Sequence, residues 1–341
     1  MNSSWLRNAA SWTTSKFDYV LRLLLDRGIQ HFKCATTLEL LHACEAGARD
    51  VLLSYPLVIP AAERVKQIAA AFPASRVSTI IEDPSQIEQW RGSTIDLFID
   101  VNPGMDRTGI SQNKCDQILR LARSVLEAGL IFRGLHYYEG HLRQIDAQDR
   151  FSDASRGYRF LIDIVLLLHR NGIHLDEVVT SGTPTFQAAA AFPEFQSGLF
   201  HHRVSAGTVV YCDQITKEQI PGLSYLPAAV VATRVVSHPA PHRFTCDAGH
   251  KTLSVDSGIP NGSVIGHPTF NLRQPSEEHL PIDVDPLGAT PEVGTILYIV
   301  PRHVCPTVNN FDHALIVKEN AIIQLEHVSA RGRESPILPG L

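Results

Sequence analysis

Near the end of the chain, Pro301-Arg302-His303-Val304-Cys305-Pro306-Thr307 sets an imidazole and a thiol two residues apart. At the end of a strand that spacing puts both side chains on one face, where an imidazole nitrogen and a thiolate suit one zinc ion. Two protein ligands are too few for a closed structural site, so water or a substrate would complete the shell, as a Lewis acid requires. The same spacing equally describes a buried cysteine beside a surface histidine. Asp247-Ala248-Gly249-His250-Lys251 offers acid, base and charge around small residues that let a ligand approach the backbone, and it also reads as a turn after a strand. Ser181-Gly182-Thr183 and Gly207-Thr208 are short turns whose N–H groups can hold a phosphate, although such turns are common without one. Arg107, in Asn102-Pro103-Gly104-Met105-Asp106-Arg107-Thr108-Gly109, and Tyr138, Glu139 and His141, in Tyr137-Tyr138-Glu139-Gly140-His141, complete the polar candidates.

These residues need elements that bring them together. From Lys16 to about residue 215, short β-rich runs alternate with apolar-periodic helices, the signature of repeated βα units around a parallel sheet. The runs are His31–Ala35, Asp50–Ser54, Arg76–Ile81, Ile95–Val101, Leu130–Tyr138, Glu177–Ser181 and Phe200–Val204. Helices are predicted over Phe17–Arg27, Thr36–Ala46, Ala61–Ala71, Lys114–Ala128 and Asp153–Arg170. Seven such units imply an eight-stranded barrel whose missing member lies before residue 16. Arg107, Tyr138, Ser181 and Gly207 each follow a strand, so they converge on the rim where such barrels carry their chemistry.

After Leu226 the texture changes to Val-, Ile- and Thr-rich runs at Ala228–Ser237, Arg243–Ala248, Thr295–Ile299 and Ala314–Glu326, separated by Pro, Gly and Asn. This spacing predicts a mostly antiparallel β domain, with Gly258–Pro291 as a loop-rich excursion. The expected architecture is therefore α/β: a (β/α)8-type barrel with its first strand incomplete or missing over 1–225, then a β domain with the metal pair over 226–341.

The 341 residues carry 30 Lys+Arg against 35 Asp+Glu, a net charge of −5. That balance is too mild to advertise a nucleic-acid or anionic-membrane partner, and neither is expected. The best apolar run, Phe160 to Leu168, is short and contains Asp163, and the first 17 residues lack the apolar core of a secretory signal. Six cysteines form no CxxC pair, which fits free thiols and a cytoplasmic protein.

Six motifs occur in one order: HFKCAT at 31–36, VNPGMDRTG at 101–109, YYEGH at 137–141, SGTPT at 181–185, DAGHK at 247–251 and HVCPT at 303–307. Together they resemble the D-threonine aldolase and D-serine dehydratase family, pyridoxal-phosphate enzymes of the alanine-racemase type, from about Thr13 to Arg333. The resemblance implies pyridoxal phosphate in the mouth of the barrel, with Arg107 near its ring and Tyr138 and His141 lining its pocket, His141 as a catalytic candidate. It implies a phosphate cradle of Ser181, Gly182, Thr183, Gly207, Thr208 and Tyr211, with Asp247 beside cofactor or substrate. His303 and Cys305 would hold Zn²⁺ or another divalent metal. The aldolase branch resembles His plus Asp at these positions and the dehydratase branch His plus Cys, so Cys305 favours D-serine dehydration to pyruvate and ammonia over retro-aldol cleavage. A homodimer acting on a small D-amino acid is implied as well.

One position departs from the pattern. The family's first strand ends in a motif like PHVKTHK, whose first lysine forms the Schiff base. Here the aligned stretch is Ala10-Ser11-Trp12-Thr13-Thr14-Ser15-Lys16, with Thr13 in place of that lysine and Lys16 in place of the second. The residues that normally precede the motif are also missing, so an N-terminally truncated or degenerate member is expected. Threonine forms no imine. Lys16 is then the surrogate catalytic residue, little D-serine dehydratase turnover is expected, and a non-catalytic ligand- and metal-binding protein is the rival reading.

Overall fold

The computed structural model describes residues 10, 11, 14–144 and 146–333. They fall into two compact units, one built on Asp18–Gly207 and the other on Thr208–Arg331 with Thr14–Phe17.

The first unit is a curled, mainly parallel sheet with helices between its strands. Its strands are β1 Ala10–Ser11, β2 His31–Cys34, β3 Asp50–Leu53, β4 Arg76–Ile81, β5 Asp96–Asn102, β6 Ile110–Ser111, β7 Phe132–Tyr137, β8 Glu177–Thr180 and β9 His201–Val204. The helices are α1 Asp18–Asp26, α2 Thr37–Glu45, α3 Ala61–Ala71, α4 Cys115–Glu127, α5 Ala147–Arg170 and α6 Phe186–Ala191. Strand order is β1-β2-β3-β4-β5-β7-β8-β9, with β6 beside β5. All seven sequence-predicted strands are present, and the remnant before residue 16 is β1, paired parallel to β2 through Ala10–Phe32 and Ser11–Lys33. The expected Schiff-base position, Thr13, lies outside the described residues.

Paired residues of a parallel sheet share a face, so the register sorts the side chains into layers. Leu52, Ile80, Phe98 and Val179, from β3, β4, β5 and β8, meet as one buried apolar cluster inside the curl. Toward the N-terminal strand ends lies a buried charged layer. There Arg133 donates to Ser78 at 2.7 Å, to Glu177 at 2.7 Å and to both carboxylate oxygens of Asp50. Burial pushes the Asp50 carboxyl up, but His31 and Arg133 outweigh it and hold it well below the usual carboxylate range. The residues at the C-terminal strand ends are polar, and they form the candidate site.

The second unit is mostly antiparallel, as expected. Its strands are β10 Val231–Ala240, β11 Arg243–Cys246, β12 Gly262–Val264, β13 Asn271–Leu272, β14 Leu280–Asp283, β15 Ile296–Pro301, β16 His313–Lys318 and β17 Ala321–His327, with helices α7 Gln214–Gln219 and α8 Val304–Asn309. Six strands order as β12-β15-β10-β11-β14-β13, and β16 pairs with β17. The stretch 258–291, read from sequence as loop, supplies β12, β13 and β14. These strands are two to four residues long, too short for a run of alternating residues to stand out among the Pro and Gly. The segment after Gly207 is bound into this unit: Tyr211 donates to the Ser15 carbonyl at 3.1 Å, and Ile215 N–H to that of Arg302 at 3.2 Å. Among the described residues, no helix is long and apolar enough to cross a membrane.

Candidate active site

In the first unit the site begins with β2. Thr36 caps α2 by accepting the Glu39 N–H at 3.1 Å, while the buried Glu39 carboxylate accepts the Ala35 N–H at 2.7 Å. This clamp fixes the end of β2, whose residue Lys33 pairs in register with Leu52 of the inner apolar cluster. Lys33 therefore stands on the inner face, only 8% exposed. Its Nζ lies 4.7 Å from the centroid of the Tyr138 ring, and the Arg107 guanidinium carbon lies 4.8 Å from the same centroid. Burial, helped by Arg107 and opposed by Glu139 and Asp100, lowers the Lys33 pKa from 10.5 to about 8.

The loop carrying Arg107 is folded tightly onto β5. Asn102 Oδ1 accepts the N–H groups of Gly104 at 2.9 Å and Asp106 at 3.1 Å. Gly109, at φ 97°, donates to Glu82, and a Cβ there would lie 2.9 Å from the Asn102 nitrogen. Between loop and strand, Asp100 accepts from the Thr108 hydroxyl at 2.7 Å and pairs with His136 Nδ1 at 2.7 Å. Burial opposes the charged Asp100, but His136, Thr108 and Arg107 hold its pKa below the ordinary value. His136 Nε2 is buried without a hydrogen-bond partner among the described residues.

Tyr138 is confined by glycines. A Cβ on Gly140 would come within 2.4 Å of its ring and one on Gly182 within 2.9 Å. Ser181, at the left-handed φ of 60°, is held from both sides: its N–H donates to buried Glu139 at 3.3 Å, and its carbonyl accepts from Ser205 at 2.5 Å. Burial raises the Glu139 pKa, and its other oxygen accepts from Tyr158 at 2.5 Å. Non-glycine residues with positive φ cost energy and persist where surrounding structure fixes them, often at functional sites. Thr183 accepts the Gly207 N–H at 3.2 Å. The first unit thus brings together Arg107, Tyr138, Ser181, Gly182, Thr183 and Gly207, whereas His141 lies exposed on the turn beyond Gly140.

Thr208, Tyr211, Asp247, His303, Cys305 and Lys16 belong to the second unit. Lys16 sits two residues before α1 at φ 57°, and its carbonyl accepts the Ala330 N–H at 2.9 Å. Asp247 Oδ1 accepts from the Thr233 hydroxyl and the Arg234 N–H, both at 2.7 Å, so this carboxylate ties the β10–β11 turn.

His303 and Cys305 are not on a strand as the sequence suggested. β15 ends at Pro301, His303 is the N-cap of α8, and Cys305 lies in its first turn. Pro306 follows within that turn, where its missing N–H costs nothing. The two side chains still meet through a hydrogen bond, which with Asp256 outweighs burial and raises the His303 pKa to about 9. Asp256 holds His303 Nδ1 at 2.6 Å, Thr14 Oγ1 lies 3.2 Å from Cys305 Sγ, and Asp213 accepts the Val304 N–H at 3.0 Å. Among the described residues, no group of three or more His, Cys, Asp and Glu side chains forms a metal site.

Sequence reasoning passed over Lys33, Asp100 and His136. The available signal was burial: a lysine in a four-residue strand of a parallel sheet has buried surroundings on either face.

A family model described as alanine racemase, N-terminal domain, matches residues 15–215, more than half of the chain. The chain belongs to the alanine racemase N-terminal domain family. A second model, described as a putative serine dehydratase domain, matches residues 228–317, in agreement with the family resemblance read from the six motifs. D-threonine aldolase from an Arthrobacter species is 27% identical over 315 residues, covering 89% of this chain and 80% of that protein. 3-Hydroxy-D-aspartate aldolase from Paracoccus denitrificans is 26% identical over 303 residues, covering 84% and 75%. The crystal structure of D-threonine aldolase from Filomicrobium marinum superimposes with a TM-score of 0.86 at 25% identity, covering 96% of this chain and 89% of that one.

Proposed function

We propose that the protein is a pyridoxal-phosphate- and metal-dependent lyase acting on D-3-hydroxy amino acids. The observation that carries the reading is the pairing of Lys33 and Arg107 on one confined tyrosine ring at the C-terminal strand ends, in a chain similar to D-threonine aldolase over 89% of its length. Buried His136 Nε2, without a hydrogen-bond partner among the described residues, and the strained Ser181 turn also fit a polar, anionic cofactor at this rim. Arg107 would orient an anionic group over Tyr138, and Ser181, Gly182, Thr183 and Gly207 would hold the phosphate through N–H and hydroxyl groups. When bound, pyridoxal phosphate supplies an electron sink for a carbanion.

The donor chemistry of the second unit fits a metal. With Nδ1 on Asp256, His303 has Nε2 left to ligate, the arrangement in which a carboxylate orients a ligating imidazole. Cys305 would be the second ligand, and water or the substrate hydroxyl would fill the remaining positions. A zinc ion held there would act as a Lewis acid on that hydroxyl.

Cys305 favours dehydration of D-serine to pyruvate and ammonia. The retro-aldol alternative has its own support, since both named relatives are aldolases. Assays with added pyridoxal phosphate and Zn²⁺ on D-serine, D-threonine and D-3-hydroxyaspartate separate the readings. Keto acid with ammonia signifies dehydration, and glycine with an aldehyde signifies aldol cleavage. Neither product from any substrate, with no cofactor bound, would refute the proposal and favour a non-catalytic role. A homodimer in the cytoplasm belongs to the same proposal, and light scattering of the purified protein tests the dimer.

A further inference from the structure

We infer that His202 is a positioning residue for the proposed phosphate cradle. Its imidazole Nε2–H donates to the Thr180 hydroxyl, which donates to Ser181 Oγ and leaves the Ser181 O–H to donate to a phosphate oxygen. The inference rests on the pyridoxal-phosphate reading above and names a residue outside the cradle that sets the direction of one of its donors.

The register places the three residues. Val179 of β8 belongs to the inner apolar cluster, so Val178 and Thr180 face the other way, and His202 of β9, paired with Val178, shares that outer face. Thr180 Oγ1 and His202 Nε2 lie 2.8 Å apart there. At its left-handed φ of 60° Ser181 leaves the strand, which ends at Thr180, and its Oγ lies 3.4 Å from Thr180 Oγ1. A chain of three polar groups therefore runs from the outer face of the sheet to the rim. The ring at its start is held in place: it stacks on Phe195 with centroids 4.2 Å apart and planes at 30°. Phe195 also packs at 5.0 Å against Tyr158, whose hydroxyl donates to Glu139, the acceptor of the Ser181 N–H. One phenylalanine thus backs both supports of the Ser181 turn, its N–H through Glu139 and its hydroxyl through Thr180.

Such a chain has a direction, because each hydroxyl has one proton to give. Burial pushes the His202 pKa down to about 3, so the ring is neutral at neutral pH, with one N–H and one lone pair. With the proton on Nε2, Thr180 gives its own proton to Ser181, and Ser181 gives its proton outward. With the proton on Nδ1 the chain reverses, and the Ser181 O–H is spent on Thr180. A phosphate dianion accepts hydrogen bonds and donates none, so the first direction is the one that serves it.

The test uses the full chain and two ligands without an aldehyde, pyridoxine 5′-phosphate and pyridoxine, so that imine formation plays no part. The readout is the ratio of their dissociation constants in fluorescence titrations, since a merely structural loss weakens both ligands alike and leaves the ratio unchanged. His202→Phe keeps a ring on Phe195 and removes the N–H, and Thr180→Val keeps the shape of the side chain and breaks the link. Each is expected to lower the preference for the phosphate ester about tenfold. His202→Gln, whose amide restores a donor, is expected to recover most of it. Either His202→Phe or Thr180→Val decides the matter if the other fails to fold. An unchanged ratio would overturn the inference and leave the proposed function standing, as would a loss in His202→Gln equal to that in His202→Phe. An unmodified chain that binds pyridoxine 5′-phosphate no better than pyridoxine would overturn both.

Discussion

Replacing Lys33 with methionine keeps a flexible apolar stem and removes the charge, which separates a functional lysine from a structural one. Lys33 is buried, and its pKa falls from 10.5 to about 8. At about 1.36 kcal/mol per unit, holding the charged form in the folded chain costs about 3 kcal/mol. Below pH 8 both folded and unfolded chains carry the proton, so the full penalty is present. Between about pH 8 and 10.5 the folded chain releases the proton while the unfolded chain keeps it, so stability rises with pH. Lys33→Met is therefore expected to stabilise the cofactor-free protein at pH 7 by up to about 3 kcal/mol, with the gap closing toward pH 10.5. At an m-value of about 3 kcal/mol/M, this is a shift of about 1 M in the urea midpoint. The buried Trp90 provides a fluorescence signal within the same unit. A less stable variant at pH 7, or a gap that does not change with pH, would refute the reasoning and make Lys33 a structural residue.

Arg133→Met leaves Asp50 and Glu177 buried without their shared cation and is expected to destabilise the protein by about 3–5 kcal/mol in urea titration. Because the Asp50 pKa is depressed, that contribution is present above about pH 4 and fades as pH falls toward the folded-state value. Gly140→Ala drives the Tyr138 ring from its position and is expected to weaken pyridoxal-phosphate binding about tenfold; Gly222→Ala, whose added methyl meets open space, serves as the control in fluorescence titrations. Metal analysis after dialysis is expected to find about one Zn²⁺ per chain, lost in Cys305→Ala and bound about 10–100-fold more weakly in Asp256→Asn. Zinc retained in the His303→Ala, Cys305→Ala double variant would sink the assignment.

The strands and helices of the first unit were legible because barrel strands are apolar on both faces and their helices repeat at 3.6 residues. Arg107, Tyr138 and the Ser181 turn were legible for a topological reason, since each follows a strand. Lys33 was not, because one charge in His31-Phe32-Lys33-Cys34 looks like an exposed residue until the register places it beside Leu52. His303 and Cys305 were read as neighbours on a strand, whereas a helix start brings their side chains together. Asp247 Oδ1 also has a local role that the sequence did not show, holding Thr233 and Arg234.

The second unit takes Thr14–Phe17 from one end of the chain and Thr208–Arg331 from the other. During synthesis those first four residues must therefore wait for nearly everything that follows. The Thr14–Cys305 contact spans 291 residues and the Tyr211–Ser15 bond spans 196. At about 5–20 residues per second on a ribosome, the segment spends roughly fifteen to sixty seconds without its partners. The parallel sheet closes mainly between consecutive strands and can form in the meantime. A gene fragment beginning at Thr208 would encode a β unit deprived of its own first segment, so the two halves of this chain are not separable modules despite their sequential appearance.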